Sequence, residues 1–358
     1  MEYNFKTKPY DHQHQAWKDS WSAEYYALFM EMGTGKSKVA IDTIGALYTT
    51  EKINAALIVA PKGVYDNWVK GEIPAHLSDN VKRMIVRWTP SSAKKFQEEM
   101  KELVYESFEG LKIFVMNVEA LSTPRGTKAA FAFLKNNPDN IMVVDESTTI
   151  KNRKATRTKN VMMLSDEAKY RRILTGSPVT KSPMDLFAQC TFLAERALGF
   201  NSYYAFQNRY AVVQKRKMGN RAFQEIVAYR RLDELNEKLE KFSNRILKED
   251  CLDLPDKVYT KREVPLTDEQ KKLYVQMKKL ALAQLDNGEL STTASVLTQI
   301  MRLQQICCGH ITDDDGNIVS VTSNRYKELV DICDELQGKA IIWATYTQDI
   351  QQIASALG

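Results

Sequence analysis

A turn that ends in a lysine and a hydroxyl, Gly33–Thr34–Gly35–Lys36–Ser37, carries the clearest chemistry in the chain. Six apolar and aromatic residues, Tyr25 to Met30, precede it and read as a buried strand, and Val39, Ala40, Ile41 and Ile44 follow at helical spacing. Strand, glycine turn, lysine–hydroxyl and helix make a phosphate cradle. The glycines let backbone N–H groups approach phosphate oxygens, and the helix N-terminus adds its partial positive charge. Lys36 can reach β- and γ-phosphates, and the Ser37 hydroxyl can ligate Mg²⁺. The candidate nucleotide contacts in this stretch are Met32, Gly33, Thr34, Gly35, Lys36 and Ser37; Met30 stands where the first glycine of such a loop usually lies.

A second constellation is acidic. Ile141–Val144 reads as a buried strand that ends in Asp145–Glu146. Beside a phosphate cradle such a pair has chemistry to do. Asp145 would hold a Mg²⁺ hydration shell, and Glu146 would orient or deprotonate an attacking water. A solvated strand end would carry the same two residues. A third element, Leu174 followed by Thr175, Gly176, Ser177 and Pro178, is either a tight turn or a set of hydroxyls placed to bond the acids and report the state of the γ-phosphate.

These groups need a scaffold, and the chain alternates accordingly. Apolar runs at Ala55–Ala60, Met84–Val86, Ile113–Met116, Ile141–Val144 and Ile173–Leu174 are separated by amphipathic stretches such as Ser91–Phe108 and Thr127–Leu134. Short apolar strands between helices predict a parallel sheet covered on both faces, with ligands at the carboxyl ends of its strands. Residues 1–190 read as one doubly wound α/β domain, 191–250 as a mostly helical insertion with a basic hairpin, and 251–358 as a linker, a helical protrusion and the beginning of a second α/β lobe. In the last part Pro255 and Pro265 bracket an extended connector, Thr267 and Gln270 form a capping box before a helix at Asp268–Leu285, and further helices are expected near Thr293–Cys307 and Asn324–Leu336. Ala340–Ala344 reads as one more strand.

Composition bounds the class. At 358 residues the chain has room for about two domains, and 44% hydrophobic with 27% charged residues is ordinary for a globular protein. The longest apolar run, Ala55–Ala60, is far short of the roughly 20 residues that cross a bilayer, and no charged-then-apolar leader is visible. The five cysteines show no paired metal-ligand spacing and read as reduced thiols, so a cytoplasmic setting without membrane is expected. A net charge of +5 permits a nucleic-acid partner without arguing for one.

In order along the chain, EMGTGKS, LIVAPKGVYDNW, VVDESTTIKN and RRILTGSPVTKSPMDLF resemble the first motor lobe of superfamily-two helicase-like ATPases, nearest to the Swi/Snf-type branch of DNA translocases. The resemblance continues through RILKEDCLDLPDK, VPLTDEQKKLY, LQQICCGH and KAIIWATYT, and the compact form is similar to viral or bacterial members. It implies RecA-like lobes and ATP and Mg as cofactors. The implied partner is DNA, double-stranded in that branch, and the setting the nucleoid or, for a virus, the host cytoplasm. It implies that Gln13, in PYDHQHQAW, reads the adenine edge, with Tyr10 nearby and Gln15 the less suited neighbour. Lys36 and Ser37 match the phosphate and magnesium contacts, Asp145 and Glu146 the acidic pair, and Thr175, Gly176 and Ser177 the coupling motif. Pro61, Lys62 and Gly63 correspond to a segment that meets a nucleic-acid backbone. Thr148 stands where many relatives have histidine, and nothing after Trp343–Thr345 matches the last two second-lobe motifs, so the sequence reads as an incomplete motor.

For nucleic acid, Lys215, Arg216, Lys217 and Arg221 surround Met218–Gly219–Asn220, which reads as a hairpin tip between Tyr210–Val213 and Phe223–Tyr229. The hairpin suits phosphate gripping and, equally, a solvated loop. The run Lys151, Arg153, Lys154, Arg157 and Lys159 reads as a solvated helix face. Aromatic residues are not interleaved with these clusters as base stacking requires, which favours tracking of a duplex backbone. A translocase on double-stranded DNA is the leading expectation, beside a strand-separating helicase of the same superfamily and a nucleotide-gated DNA-binding module.

Overall fold

The computed structural model describes residues 3–218, 221–253, 255–286, 293–313 and 316–358, and it divides at Pro255 into two compact units. The first opens with α1 (Asp11–Ser20), β1 (Tyr25–Met30), α2 (Lys36–Thr49) and β2 (Ala55–Ala60). Two short helices, α3 (Tyr65–Asn67) and α4 (Ile73–His76), flank a π-helical turn at Trp68–Glu72. Then follow β3 (Arg83–Arg87), α5 (Lys94–Tyr105), β4 (Leu111–Asn117), α6 (Pro124–Asn136), β5 (Asn140–Asp145), α7 (Thr156–Ser165), β6 (Tyr170–Leu174), α8 (Asp185–Leu193) and α9 (Tyr203–Tyr210). A hairpin of β7 (Ala211–Met218) and β8 (Arg221–Tyr229), then α10 (Leu232–Glu240), β9 (Ser243–Ile246) and α11 (Lys248–Cys251), complete the unit.

Seven strands form one sheet in the order β3-β4-β2-β5-β6-β1-β9, every neighbouring pair parallel. Alternate residues of a strand face opposite ways, and here both faces are covered. Ala27, Phe29, Leu57, Val59, Met142 and Val144 join one core cluster, whereas Leu28, Met30, Ala56, Ile58, Ile141 and Val143 join the other. That is why the inner strands read as unbroken apolar runs. The edge strands are the exceptions: RMIVR and SNRI carry arginines, as edges that must not pair further do.

The α/β class and the parallel sheet agree with the sequence expectation, but the boundary near residue 190 does not describe this unit. Residues 191–255 pack with the first unit, and Ser243–Ile246 adds the seventh strand beside β1, at Ala27 to Met30. A four-residue polar strand has no apolar run to announce it, so the stretch reads as helical insertion until its pairing is seen.

Arg172 holds the start of the chain to the sheet. Its side chain is fully buried, and its guanidinium donates to the carbonyls of Ser20 (2.7 Å), Ala23 (2.7 Å) and Arg171 (2.8 Å). Ser20 is the last residue of α1, where helix carbonyls lack intrahelical partners, and Ala23 follows in the connection to β1, so a buried cation on β6 meets the negative end of the helix. At the other end of α1, the Tyr10 N–H donates to Gln13 Oε1 at 3.1 Å. Lys38, buried on α2, ties the preceding segment down by donating to the Thr7 carbonyl and to Asp42, each at 2.8 Å.

The second unit has α12 (Asp268–Asp286), α13 (Thr293–Cys308), an antiparallel pair β10 (His310–Thr312) and β11 (Ile318–Ser320), α14 (Arg325–Glu335) and α15 (Thr347–Leu357). The capping box is formed as expected: Thr267 N–H donates to Gln270 Oε1 at 3.1 Å, and Gln270 N–H to Thr267 Oγ1 at 3.2 Å. The strand expected at Ala340–Ala344 is not. Ile341 and Trp343 are 82% and 89% exposed, and no described strand of this unit lies beside them; a strand exists by its pairing, not by its apolar residues alone.

Replacing Arg172 with Met keeps much of the stem and strips the donors from these carbonyls. The first unit should lose about 3 kcal/mol of stability in urea unfolding. A change near zero would show that the end of α1 is held by other means.

Candidate functional site

The phosphate-type loop follows β1, the acidic pair ends β5, and Thr175 follows β6. Since β5, β6 and β1 are sheet neighbours and all parallel, these three segments emerge at one end of the sheet, side by side. Gly35 caps α2 with φ +89°, and Gly33 has φ +87°. Both lie in the left-handed region that glycine enters without steric cost. A Cβ on Gly35 would sit 2.2 Å from Gln13 Nε2, so the missing side chain is also what admits the glutamine. The N-terminus of α2 has no side-chain cap and no acid in its first turn, so its N–H groups and positive dipole end are uncompensated by its own residues.

Lys36 Nζ lies 3.3 Å from Glu146 Oε1, and the Thr175 hydroxyl donates to Glu146 Oε2 at 3.3 Å. The Ser177 N–H in turn donates to Thr175 Oγ1 at 3.2 Å. Glu146 sits at φ +47°, a left-handed conformation that is strained for a side chain of its size and turns it out of the strand direction. Asp145 is buried, with one donor on each oxygen among the described residues: Glu146 N–H on Oδ1 and Trp68 Nε1–H on Oδ2, both at 2.9 Å. Burial pushes the Asp145 carboxyl above the usual carboxylate range; the Trp68 N–H pulls it down, the Glu146 charge raises it and Lys36 lowers it.

Gln13 is buried and lies across the loop, its Nε2 donating to Thr34 O at 3.1 Å, while His12 Nε2 lies 2.8 Å from the same oxygen. Tyr10 is exposed and stacked on His12, with ring centroids 5.8 Å apart. Gln15 bonds Asp19 along its own helix and does not reach the loop. The structure therefore brings Tyr10, Gln13, Gly33 to Lys36, Asp145, Glu146 and Thr175 to one region. Met32 is exposed at its rim. Ser37 lies in the first turn of α2, and the Gly176 backbone lies against Met32 and Glu31.

Residues that sequence reasoning missed complete it. Glu31 accepts the Lys248 N–H at 2.7 Å, Arg245 donates to the Gly176 carbonyl at 2.8 Å, and both partners come from the unforeseen β9 region. Trp68 ends the stretch LIVAPKGVYDNW but has no role in the sequence reading, because its N–H partner lies 77 residues away in sequence.

The expected nucleic-acid residues are elsewhere. Lys62 and Gly63 are exposed after β2, whose neighbour in the sheet is β5, and Pro61 is half-buried beside them. On the hairpin, Lys215 and Lys217 are exposed, but Arg216 is paired with Glu225 at 2.6 Å across the strands and is not a free cation. Gly219 and Asn220, expected from the sequence as the tip, lie outside the described residues, and the Arg221 side chain does too. In the other basic run, Arg153 stacks 4.4 Å over the Tyr203 ring, and Lys151 faces Asp185 at 3.8 Å.

The α/β lobe thus carries a glycine–lysine loop, an acidic pair and a hydroxyl motif on three adjacent strand ends. The chain belongs to the SNF2-related domain family, whose model matches residues 21–311. Among its relatives, an uncharacterized ATP-dependent helicase of Mycoplasma genitalium is 25% identical over 310 residues, covering 86% of this chain and 27% of that protein. A SWI/SNF chromatin-remodeling complex subunit of Schizosaccharomyces pombe, snf22, is 28% identical over 291 residues, covering 77% and 16%. The chain thus spans about a quarter or less of these relatives' length. The fold is similar to that of the Sulfolobus solfataricus SWI2/SNF2 ATPase core solved in complex with dsDNA. The TM-score is 0.51 at 22% identity, with 94% of this chain and 66% of that one covered. No helix among the described residues is long and apolar enough to cross a membrane.

Gly35→Ala forces an alanine to φ near +89° and into the Gln13 amide. The first unit should lose about 1–2 kcal/mol from backbone strain, more from the clash, as read by urea unfolding. Adding Gln13→Ala should recover only the clash; full recovery would mean the left-handed turn carries no strain.

Proposed function

We propose that the chain is the ATP-binding portion of a Swi/Snf-type motor that moves on double-stranded DNA and is driven by hydrolysis of Mg·ATP in the cytoplasm or nucleoid. The observation that carries this reading is the meeting of Lys36, Glu146 and Thr175 within two contacts of 3.3 Å, from three strand ends far apart in sequence. A structural ion pair alone would not need an uncapped helix N-terminus, two left-handed glycines and a hydroxyl on the same carboxylate.

The residues present fit the implied nucleotide and metal. The free N–H groups at the start of α2 and the Lys36 ammonium would hold the phosphates, and Gln13 with Tyr10 would meet the base. Ser37 and Asp145 would hold Mg²⁺, partly through water, since each Asp145 oxygen takes a single protein donor and keeps a lone pair. Bound Mg²⁺ would neutralise charge on the phosphate oxygens. In the structure Lys36 is engaged by Glu146, so an entering phosphate competes for the ammonium and releases the carboxylate. Glu146, still held through Oε2 by Thr175, would then orient and deprotonate the attacking water, and Thr175 would pass its position to the segment after β6. Pro61 to Gly63 would contact the duplex backbone, with Lys215 and Lys217 as a second grip. The dsDNA bound to the Sulfolobus core supports this choice of partner.

Lys36→Ala should weaken ATP binding at least tenfold in an equilibrium assay, since it removes the ammonium aimed at the phosphates. Glu146→Gln should keep ATP binding and lower single-turnover hydrolysis with duplex DNA by about 10²–10⁴-fold, because the amide cannot act as base. Equal hydrolysis by parent and variant would take Glu146 out of the chemistry.

Neutralising Lys215 and Lys217 together should weaken binding to every duplex sequence alike and reduce the slope of log affinity against log salt by about 0.9 per lost phosphate contact. An unchanged slope would make the hairpin a solvated loop.

A further inference from the structure

The Trp68 indole is fully buried, yet its N–H does not end in the core: it donates to Asp145 Oδ2 at 2.9 Å. Asp145 is itself buried, and its other oxygen is taken by a backbone N–H, so the indole is the only side-chain donor among its hydrogen bonds in the described residues. Trp68 also opens the π-helical turn Trp68–Glu72, a rare geometry that is frequent at functional sites.

What precedes Trp68 matters as much. From the end of β2 the backbone closes one turn after another: Val64 and Tyr65 N–H donate to Pro61 O at 2.8 and 3.0 Å, Asn67 N–H to Val64 O at 2.9 Å, and Trp68 N–H to Val64 O at 3.4 Å. No slack residue separates the exposed Lys62–Gly63 from the indole. The outer side of this short lever is braced, since Asp66 is paired with Arg87 at 2.5 Å and the Arg87 guanidinium lies 5.5 Å from the Tyr65 ring centroid. Gly63, by contrast, has open space where a side chain would project.

We infer that Trp68 is a positioning residue that links occupancy of the exposed Pro61–Gly63 segment to the orientation of Asp145, through its indole N–H. The inference rests on the nucleotide and duplex reading above. A ligand that shifts Pro61–Gly63 moves a hydrogen-bonded turn, and the indole at its end either holds or releases Asp145 Oδ2. By linkage the same contact must work in reverse, so a nucleotide bound with its metal alters affinity for whatever touches Pro61–Gly63, by the same factor. This coupling is a binding property and needs no turnover to be seen.

The test replaces only the donor. Benzothienylalanine at position 68 keeps the bicyclic shape of tryptophan and puts sulfur where the N–H was; Trp68→Phe is the simpler companion variant. Duplex DNA affinity is measured by fluorescence anisotropy with and without Mg²⁺ and a non-hydrolysable ATP analogue, and analogue affinity is measured with and without duplex. In the parent each ligand should change the affinity of the other by the same factor, of about fivefold or more. In the benzothienylalanine protein that factor should fall toward one, beside the loss of stability that the unmade hydrogen bond to buried Asp145 itself brings; a purely structural role would lower the melting temperature and leave the factor in place. A coupling factor equal to the parent's in the isostere overturns the inference, as does a parent that binds both ligands without coupling. A parent that binds neither ligand overturns the nucleotide and duplex reading itself, so the two failures are distinguishable.

Discussion

The parallel pairing of β1 with β6 and of β6 with β5 is the constraint from which the rest follows. Parallel strands end on the same side, so the three loops that leave β1, β5 and β6 have no choice but to be neighbours. Register then sets their depth: Leu174 and Asp145, the last residues of β6 and β5, stand opposite each other, and Leu28, two residues before the end of β1, is level with them. Lys36, Glu146 and Thr175 meet because of that alignment. Had any of the three strands run the other way, its loop would lie at the far end of the sheet.

Around this frame the protein places buried polar groups sparingly and at specific points. Arg172 takes the terminal carbonyls of α1, Lys38 takes Thr7 and Asp42, and Trp68 takes Asp145. Each ties a segment that leads to the site to a separate element of the fold: α1 to β6, the segment before α1 to α2, the turn after β2 to β5. Leaving any one of these partners unmade costs a desolvated polar group, which is why such contacts specify position more sharply than apolar packing does. The two left-handed glycines serve the opposite purpose: both free the backbone to turn, and Gly35 also leaves out a side chain where Gln13 comes close.

The second unit obeys the same local rules with a different outcome. Its capping box forms from Thr267 and Gln270 as the spacing requires, because both donors and acceptors lie within one helical turn. Ala340–Ala344 has strand composition and stays unpaired, since pairing depends on a neighbour that composition cannot supply. The chain spans only a fraction of its family relatives' length.

The sequence by itself determined the local chemistry: the strand–glycine–lysine–hydroxyl order, the acids at the end of β5, the apolar inner strands, the hairpin and the helix caps, all set by neighbours within a few residues. Family resemblance read from the same motifs agrees with the SNF2-related match. Only the tertiary structure decided what depends on distant pairing. It placed the polar strand Ser243–Ile246 in the sheet, brought Arg245 and Lys248 to the loops, bound Arg216 to Glu225 and set the N–H of the buried Trp68 against Asp145. The physical reason is range. Helical turns, caps and alternation are fixed by contacts between near neighbours along the chain, whereas a hydrogen bond between residues 77 apart exists only once the sheet has chosen which strands lie side by side.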